Sequence, residues 1–149
     1  EVTDAVISVW GADRVGMHIA PRCDSHDMGD SDPASLFGHV ARELGRRKIA
    51  FLCARESHDQ HALGPMLKKE FGGVYIANEG FTAESARDSI SSGHADAVAF
   101  GKPAIANPDL VERLRIGAPW NAPHPETFYG SGPVGYLDYP KLEEIQASN

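Results

Sequence analysis

The apolar positions of the chain fall into short continuous runs that alternate with helical patterns. Four runs are nearly uninterrupted in apolar character, at residues 14–20, 48–53, 73–77 and 95–100. A strand that is covered on both faces has this composition, because neither of its sides meets water. The pattern therefore predicts four strands of a parallel sheet, separated by helices as in repeated βα units.

Polar capping residues and glycines mark the ends of the predicted helices. Asp32 is placed to cap a helix that Gly45 ends, and Thr82 is placed to cap another. A shorter helix is predicted at residues 65–71. Before the first strand, a helix ends at Gly11. Its apolar face is formed by Val2, Ala5, Val6, Val9 and Trp10.

The last predicted helix begins near residue 107, and the chain changes character after it. Asn107 is placed to cap this helix, with Pro108 in its first turn. Its inward-facing residues are expected to be Leu110, Val111 and Leu114. From about Gly117 the sequence is rich in Pro, Gly and aromatic residues, which predicts an ordered C-terminal tail, residues 117–149.

Four βα units are compatible with two architectures. They could form a small open sheet, or they could form half of an eight-stranded β/α barrel. A complete barrel typically needs about 250 residues, and this chain has 149. Half a barrel exposes two edge strands and an apolar sheet face. The barrel interpretation therefore predicts a partner that supplies the other half.

Composition removes several classes of function. The formal charge of −7 and the pI near 5.4 argue against a nucleic-acid partner. No apolar run approaches the roughly 20 residues that span a bilayer, and no signal peptide is expected from the first residues of the sequence. Cys23 and Cys53 have no metal-type spacing, so we expect reduced thiols in a cytoplasmic protein. The acidic loop at residues 24–32 lacks the spacing of a calcium loop, and no metal is expected.

Candidate chemistry lies where the predicted strands end, because parallel βα folds bind their ligands beyond the carboxyl ends of the strands. Four segments qualify: residues 18–22, 53–58, 78–81 and 101–102. In the third, Asn78, Glu79 and Gly80 lead into the Thr82 helix. In the fourth, Gly101 is followed by the positive charge of Lys102. Glycines that let an anion approach the backbone on consecutive strands predict a phosphate site, although each alone is equally typical of an ordinary turn.

The same residues carry a family resemblance. Residues 14–21 read RVGMHIAP, residues 96–102 read DAVAFGK, and residues 105–110 read IANPDL. Near the end, residues 126–130 read ETFYG and residues 135–140 read GYLDYP. In this order, the segments resemble conserved motifs of the old yellow enzymes, and the bacterial ene-reductase and xenobiotic-reductase branch is the nearest likeness.

The resemblance implies a TIM (β/α)8 barrel that holds FMN at its mouth, with residues 1–149 as the C-terminal half, strands five to eight. Residues 117–149 would be a tail over the barrel mouth. The FMN-binding residues that it implies are His18, Asn78, Glu79, Gly80, Gly101 and Lys102. Backbone N–H groups at Glu79, Gly80 and Gly101 would hold the phosphate, with Lys102 as its charged partner.

His18 and Lys102 stand where most members of the family have arginine. Lysine keeps the charge but loses the two-pronged geometry of arginine. By this resemblance, His18 would donate to the pyrimidine edge of the flavin. Spacing alone favours the other interpretation, a buried histidine of the core. Tyr136 would line the pocket in which nicotinamide and substrate bind in turn.

The family's activity is the reduction of activated alkenes or nitro compounds by NADPH or NADH through FMN. The residues that bind the substrate carbonyl and donate the proton lie on earlier strands, so no catalytic residue is expected in this chain. Two alternatives stay open. The barrel could bind a phosphorylated metabolite without redox chemistry, or the chain could be an inactive fragment without its N-terminal half.

Overall fold

A computed structural model describes residues 1–22, 29–57 and 59–147. The chain forms two compact units, Glu1–Ala99 and Phe100–Asn149. Cys23, most of the acidic loop at residues 24–32, and His58 lie outside the described residues. In the described part of the chain, no helix is both long and apolar enough to cross a membrane.

In its described residues, the first unit contains four strands and four helices that alternate after the first helix. The strands are β1 (Gly16–Arg22), β2 (Phe51–Glu56), β3 (Val74–Asn78) and β4 (Ala97–Ala99). The helices are α1 (Val2–Trp10), α2 (Pro33–Arg46), α3 (Gly64–Phe71) and α4 (Ala83–Ser91), and a 3₁₀ turn occupies Ala12–Arg14. All neighbouring strands pair in parallel, in the order β1-β2-β3-β4. The predicted parallel sheet of βα units is confirmed.

The two faces of this sheet are buried to very different degrees. Leu52 and Ala54 are fully buried, and Tyr75 of the adjacent strand is 1% exposed. These residues form the covered face, beneath the helices of the unit. Side chains alternate along a strand, and the intervening Phe51 and Val74 are 37% and 49% exposed. We call this second side the open face. An exposed apolar sheet face is what the half-barrel interpretation predicts.

Four predicted helix ends are confirmed. The Asp32 carboxylate accepts a hydrogen bond from Ser35 N at 3.1 Å, and Pro33 follows it at the start of α2. Thr82 and Ser85 form a reciprocal capping box at the start of α4. Gly11 and Gly72 end α1 and α3 at φ 83° and 68°, in the left-handed region that glycine tolerates best.

The prediction that Gly45 ends α2 was wrong, because the helix continues to Arg46. The reason for a glycine at this position is contact between helices. A Cβ built on Gly45 would lie 2.2 Å from the backbone oxygen of Phe71, the last residue of α3. Gly45 therefore lets α2 approach the end of α3 more closely than any other residue would.

The predicted strands begin two or three residues too early on β1 and β2. Arg14 belongs to a 3₁₀ turn, and Lys48 sits at φ 54°, which breaks an extended strand. At its other end β2 runs on through Arg55 and Glu56, because both polar side chains have partners. The prediction, which rested on apolar character alone, ended this strand at Cys53. The predicted fourth strand is also longer than the observed β4.

The apolar face predicted for α1 is present but not buried. Val2 is 80% exposed, Val9 74% and Trp10 63%. Arg47 holds the helix against α2 by ion pairs to Asp4 and Glu43. An apolar helix face that is exposed to water is typical of an interaction surface.

Up to residue 147, where the described residues end, the second unit contains three short helices and an irregular tail. They are α5 (Lys102–Ala106), α6 (Leu110–Ile116) and α7 (Leu142–Ala147), with a 3₁₀ turn at Pro125–Thr127. The prediction that Asn107 caps α6 was wrong, because the helix is preceded by Asp109. Asn107 is instead buried, donating to Pro103 O and accepting from Asn121 N at 2.7 Å. The inward orientation of Val111 was also wrong, since this side chain is 81% exposed.

The core of this unit is a buried arginine. Arg113 is 1% exposed, and its guanidinium donates to Asp109 Oδ1 and Pro119 O, both at 2.7 Å, and to Pro140 O at 3.2 Å. The second oxygen of Asp109 accepts from Leu142 N at 2.7 Å. One side chain therefore fixes both ends of the segment between residues 119 and 140.

The cap of α4 gives a first testable expectation. Replacing Thr82 with Ala removes the acceptor for Ser85 N, and we expect a loss of about 1 kcal/mol in the free energy of unfolding. Ser91→Ala is a matched control in the last turn of the same helix, where the hydroxyl only donates to Asp88 O. Chemical denaturation of the assembled barrel, meaning this chain together with an N-terminal half, measures both. Equal stability of the two variants would contradict the role of the cap.

Candidate functional site

The open face carries the first predicted site residue. His18 lies in β1, opposite Cys53 of β2, and its side chain is exposed. Within this chain His18 is therefore not part of the buried core. Partial burial raises the pKa of the Cys53 thiol, so this neighbour is uncharged near neutral pH. His18 is free to meet a ligand that lies over the open face.

The second predicted segment follows β3. The Asn78 side-chain amide donates to Ala99 O at 2.9 Å and so ties the ends of β3 and β4 together. Glu79 and Gly80 come next, with φ of 93° and 70°. Two successive residues with positive φ turn the backbone sharply before Thr82 starts α4. The backbone beside Gly80 is open, because no atom lies within 4 Å of where a Cβ would be.

Glu79 is an unusual residue for this turn. A residue with a Cβ is strained at φ 93°, at a typical cost of about 1–3 kcal/mol. Such strain persists only where the surrounding structure holds the residue in place, and it is concentrated at functional sites. The backbone conformation therefore marks Glu79 independently of the sequence pattern that first pointed to it.

Sequence reasoning missed the partner of Glu79. Arg55, near the end of β2, places its Nε 2.5 Å from Glu79 Oε2. Strand register explains the pairing, since Arg55 lies opposite Asn78, the residue before Glu79. A cation so close to a predicted phosphate-binding turn changes its electrostatics. The only signal in the sequence was a charged residue at the end of an apolar run.

A second ion pair lies at the same end of the sheet. Arg22, the last residue of β1, contacts Asp59 through two hydrogen bonds, at 2.7 and 2.8 Å. These bonds, followed by the one from His61 N, hold the pKa of Asp59 well below its usual range. Asp59 therefore stays ionised at any physiological pH, and this pair is a stable feature of the strand ends.

Gly101 and Lys102 belong to the second unit. Gly101 follows β4 after Phe100, and Lys102 begins α5, which the sequence did not predict. Both residues are exposed, and the space beside the Gly101 Cα is open. Their position immediately after a strand agrees with the predicted strand-end segment.

Tyr136 lies within the tail of the second unit. Its side chain is 47% exposed, and its backbone N–H donates to Pro133 O at 3.1 Å. The turn around it is fixed by Gly135, whose N–H donates to Asp138 at 2.6 Å and whose carbonyl accepts from the Thr127 hydroxyl at 3.1 Å. The tail is therefore ordered by its own polar contacts, and it presents the tyrosine to its surroundings.

A cavity of about 410 Å³ lies elsewhere in the first unit. Tyr75 and Ala77 line it, which places it on the covered face of β3, on the opposite side of the sheet from His18. Its buried carboxylate, Glu56, accepts a hydrogen bond from Leu63 N at 2.8 Å. Across all the described residues, not only in this cavity, no group of side chains has the arrangement of a metal site. Two residues that line the cavity, Glu56 and Phe81, belong to the strand-end segments 53–58 and 78–81 that the sequence singled out.

Comparison with known proteins gives a consistent result. The chain is 44% identical over 143 residues to a probable flavin mononucleotide-dependent alkene reductase of Leishmania infantum, covering 94% of this chain and 39% of that protein. It is 39% identical to 12-oxophytodienoate reductase 1 of Oryza sativa subsp. japonica, covering 97% of this chain and 41% of that one. No protein-family model matches the chain.

Solved structures agree with these relatives. The old yellow enzyme from Trypanosoma cruzi superposes with a TM-score of 0.89 at 38% identity, over 95% of this chain and 38% of that one. Morphinone reductase in complex with tetrahydroNAD gives a TM-score of 0.87 at 41% identity, over 95% and 39%. The chain thus spans about two fifths of the length of the relatives that it matches.

Proposed function

This chain belongs to the old yellow enzyme family and spans part of that family's barrel, and from this premise we propose that it is the C-terminal half of an FMN-dependent ene-reductase. The complete enzyme would reduce activated alkenes or nitro compounds with NADPH or NADH. The observation that carries the proposal is the parallel four-stranded sheet with an exposed apolar face, in a chain that superposes on an old yellow enzyme at a TM-score of 0.89.

The predicted cofactor residues are compatible with FMN. Gly80 and Gly101 both have open space beside the Cα, so an anion could reach the backbone there. We propose that Asn78 fixes this end of β3 and that N–H groups of Glu79 and Gly80 hold the phosphate, with Gly101 and Lys102 as further phosphate contacts. FMN, when bound, supplies the hydride-transfer chemistry between nicotinamide and alkene.

The remaining predicted site residues of this half would contact the flavin ring and line the substrate pocket. His18, exposed on the open face, would donate a hydrogen bond to the pyrimidine edge of the flavin. Tyr136 would line the pocket for nicotinamide and substrate. By family resemblance, the substrate-activating pair and the proton donor would lie in the N-terminal half. That half is therefore the partner needed for activity, and it would also cover the open face.

Cofactor binding is the direct test. The assembled barrel is expected to be yellow and to hold a stoichiometric amount of FMN by absorbance. Replacing Lys102 with Met is expected to weaken FMN binding by roughly tenfold, the usual value of one hydrogen bond to a charged group. Lys69→Met, an exposed lysine on α3, is the matched control and should leave the affinity unchanged.

Two outcomes would contradict the proposal. An assembled barrel without flavin absorption, even after FMN is added, removes the cofactor and with it the redox function. Tight binding of a phosphosugar without binding of FMN would instead favour a non-redox barrel.

A further inference from the structure

The two charged side chains that meet at the ends of β2 and β3 have no role in the function proposed so far. Arg55 and Glu79 form an ion pair at 2.5 Å, with side chains 40% and 38% exposed. Ion pairs that are this exposed contribute little to stability. Stability alone is therefore a poor reason for keeping both residues at this edge of the sheet.

Glu79 is also a poor choice for the turn that it occupies. Its φ of 93° strains any residue with a Cβ, whereas Gly80 beside it adopts φ 70° without that cost. In addition, its carboxylate adds a negative charge next to backbone N–H groups that would bind an anion. Arg55 adds a positive charge at the same place, so the pair is neutral as a whole.

Each member of the pair nevertheless acts on an arriving anion with its own sign. The guanidinium attracts a phosphate, and the carboxylate repels it. Both side chains are accessible to solvent in this half of the barrel, so an anion can approach either charge. The difference between the two effects sets the net affinity of the turn for an anion.

We propose that Arg55 and Glu79 form an affinity-setting charge pair for the cofactor phosphate, in which Arg55 strengthens phosphate binding and Glu79 weakens it. This inference rests on the proposed function, which identifies the anion at Gly80 as the phosphate of FMN. It assigns Arg55 as a further residue that recognises the phosphate. The Glu79 carboxylate then lowers the affinity for the cofactor below the value that the backbone N–H groups of the turn would give without it.

The test measures FMN dissociation constants of the assembled barrel by quenching of flavin fluorescence. Glu79→Gln keeps the shape and removes the charge, and it is expected to bind FMN roughly tenfold more tightly, the effect of one unit charge near a protein surface. Arg55→Met is expected to bind roughly tenfold more weakly for the same reason. The double variant should return close to the starting affinity.

A purely structural pair gives a different result. Either single substitution breaks the same ion pair, so both would shift the affinity in the same direction, and that outcome overturns the inference. Arg55→Lys keeps the charge in a different shape and should stay within about threefold of the unsubstituted protein. Thermal melting of each variant shows that differences in affinity do not come from unfolding.

Riboflavin, which lacks the phosphate, separates the pair's action on phosphate from any action on the ring. Its affinity should be the same in all variants, and a shift equal to that of FMN would overturn the inference. If FMN binds the unsubstituted barrel but the two single variants shift together, only the charge pair fails. If the unsubstituted barrel binds no FMN, the proposed function fails, and the inference that rests on it is overturned as well.

Discussion

Replacing Gly45 with Ala is expected to destabilise the assembled barrel by about 3 kcal/mol. The added Cβ would lie 2.2 Å from Phe71 O and 3.1 Å from Phe71 C, both backbone atoms at the end of α3. Backbone cannot rotate away as a side chain can, so α2 and α3 must separate. Their contact is the most extensive between helices of the first unit, and the loss therefore spreads through the packing on the covered face.

Gly38→Ala is the matched control in the same helix. A Cβ there would lie 3.4 Å from Met66 Sδ, an ordinary contact with a flexible side chain. Alanine is the better helix former by about 1 kcal/mol, so this variant should be as stable as the original or slightly more so. Urea unfolding of both variants measures the difference. If the Gly45→Ala variant were as stable as the Gly38→Ala variant, the inference that close contact between α2 and α3 requires Gly45 would be contradicted.

Gly45 also shows where sequence reasoning reached its limit. A glycine near the end of an amphipathic pattern has two explanations, a helix stop or a close contact, and the pattern favours the first. The distinction depends on Phe71, which lies in a different helix and cannot be located from local spacing. The repeated βα pattern itself was predictable, because alternating apolar runs and amphipathic stretches depend only on local periodicity.

The strand-end segments were likewise predictable, and the contacts within them were not. Parallel topology places Asn78, Glu79 and Gly80 at a strand end without knowledge of any distance. The pairing of Arg55 with Glu79 requires the register of β2 against β3, which no local pattern encodes. The positive φ of Glu79 could not be predicted for a different reason. Glutamate seldom adopts this conformation, so its presence in a sequence does not indicate a positive φ.

The second unit was the least predictable part of the chain. Its helices have at most seven residues, too few for a clear amphipathic period. Asn107 has the chemistry of a helix cap, yet the buried contact with Asn121 determines its position. Polar side chains hold this unit together, and a search for apolar positions passes over them.

Replacing Arg113 with Met is expected to cost about 3–5 kcal/mol in the free energy of unfolding, the usual effect of removing one member of a buried ion pair. Asp109 loses its ion-pair partner, and the carbonyls of Pro119 and Pro140 lose the guanidinium that donates to both. The segment between these prolines, which carries Tyr136, is then fixed at neither end by this side chain. We therefore expect protease cleavage within residues 120–139 at conditions where the original protein resists.

Arg115→Met is the matched control, two residues further along the same helix. Arg115 pairs with Glu112 at 2.6 Å, but the two side chains are 70% and 50% exposed, and the loss should stay within the few tenths of a kcal/mol typical of surface substitutions. Denaturant midpoints and the mass of the first proteolytic fragments measure both variants. Equal stability, or cleavage that begins outside residues 120–139, would show that the tail is held by other contacts.

The same network predicts a dependence on pH. Partial burial acts to raise the pKa of Asp109, but the hydrogen bonds from Leu142 N and Arg113 outweigh it and lower the pKa below its ordinary value. A lowered folded-state pKa stabilises the fold fully above the ordinary carboxyl value of about 4. That stabilisation is lost as the pH falls through the lowered value. In the Arg113→Met variant the pKa of Asp109 should rise, so protease cleavage of the tail should begin at a higher pH than in Arg115→Met.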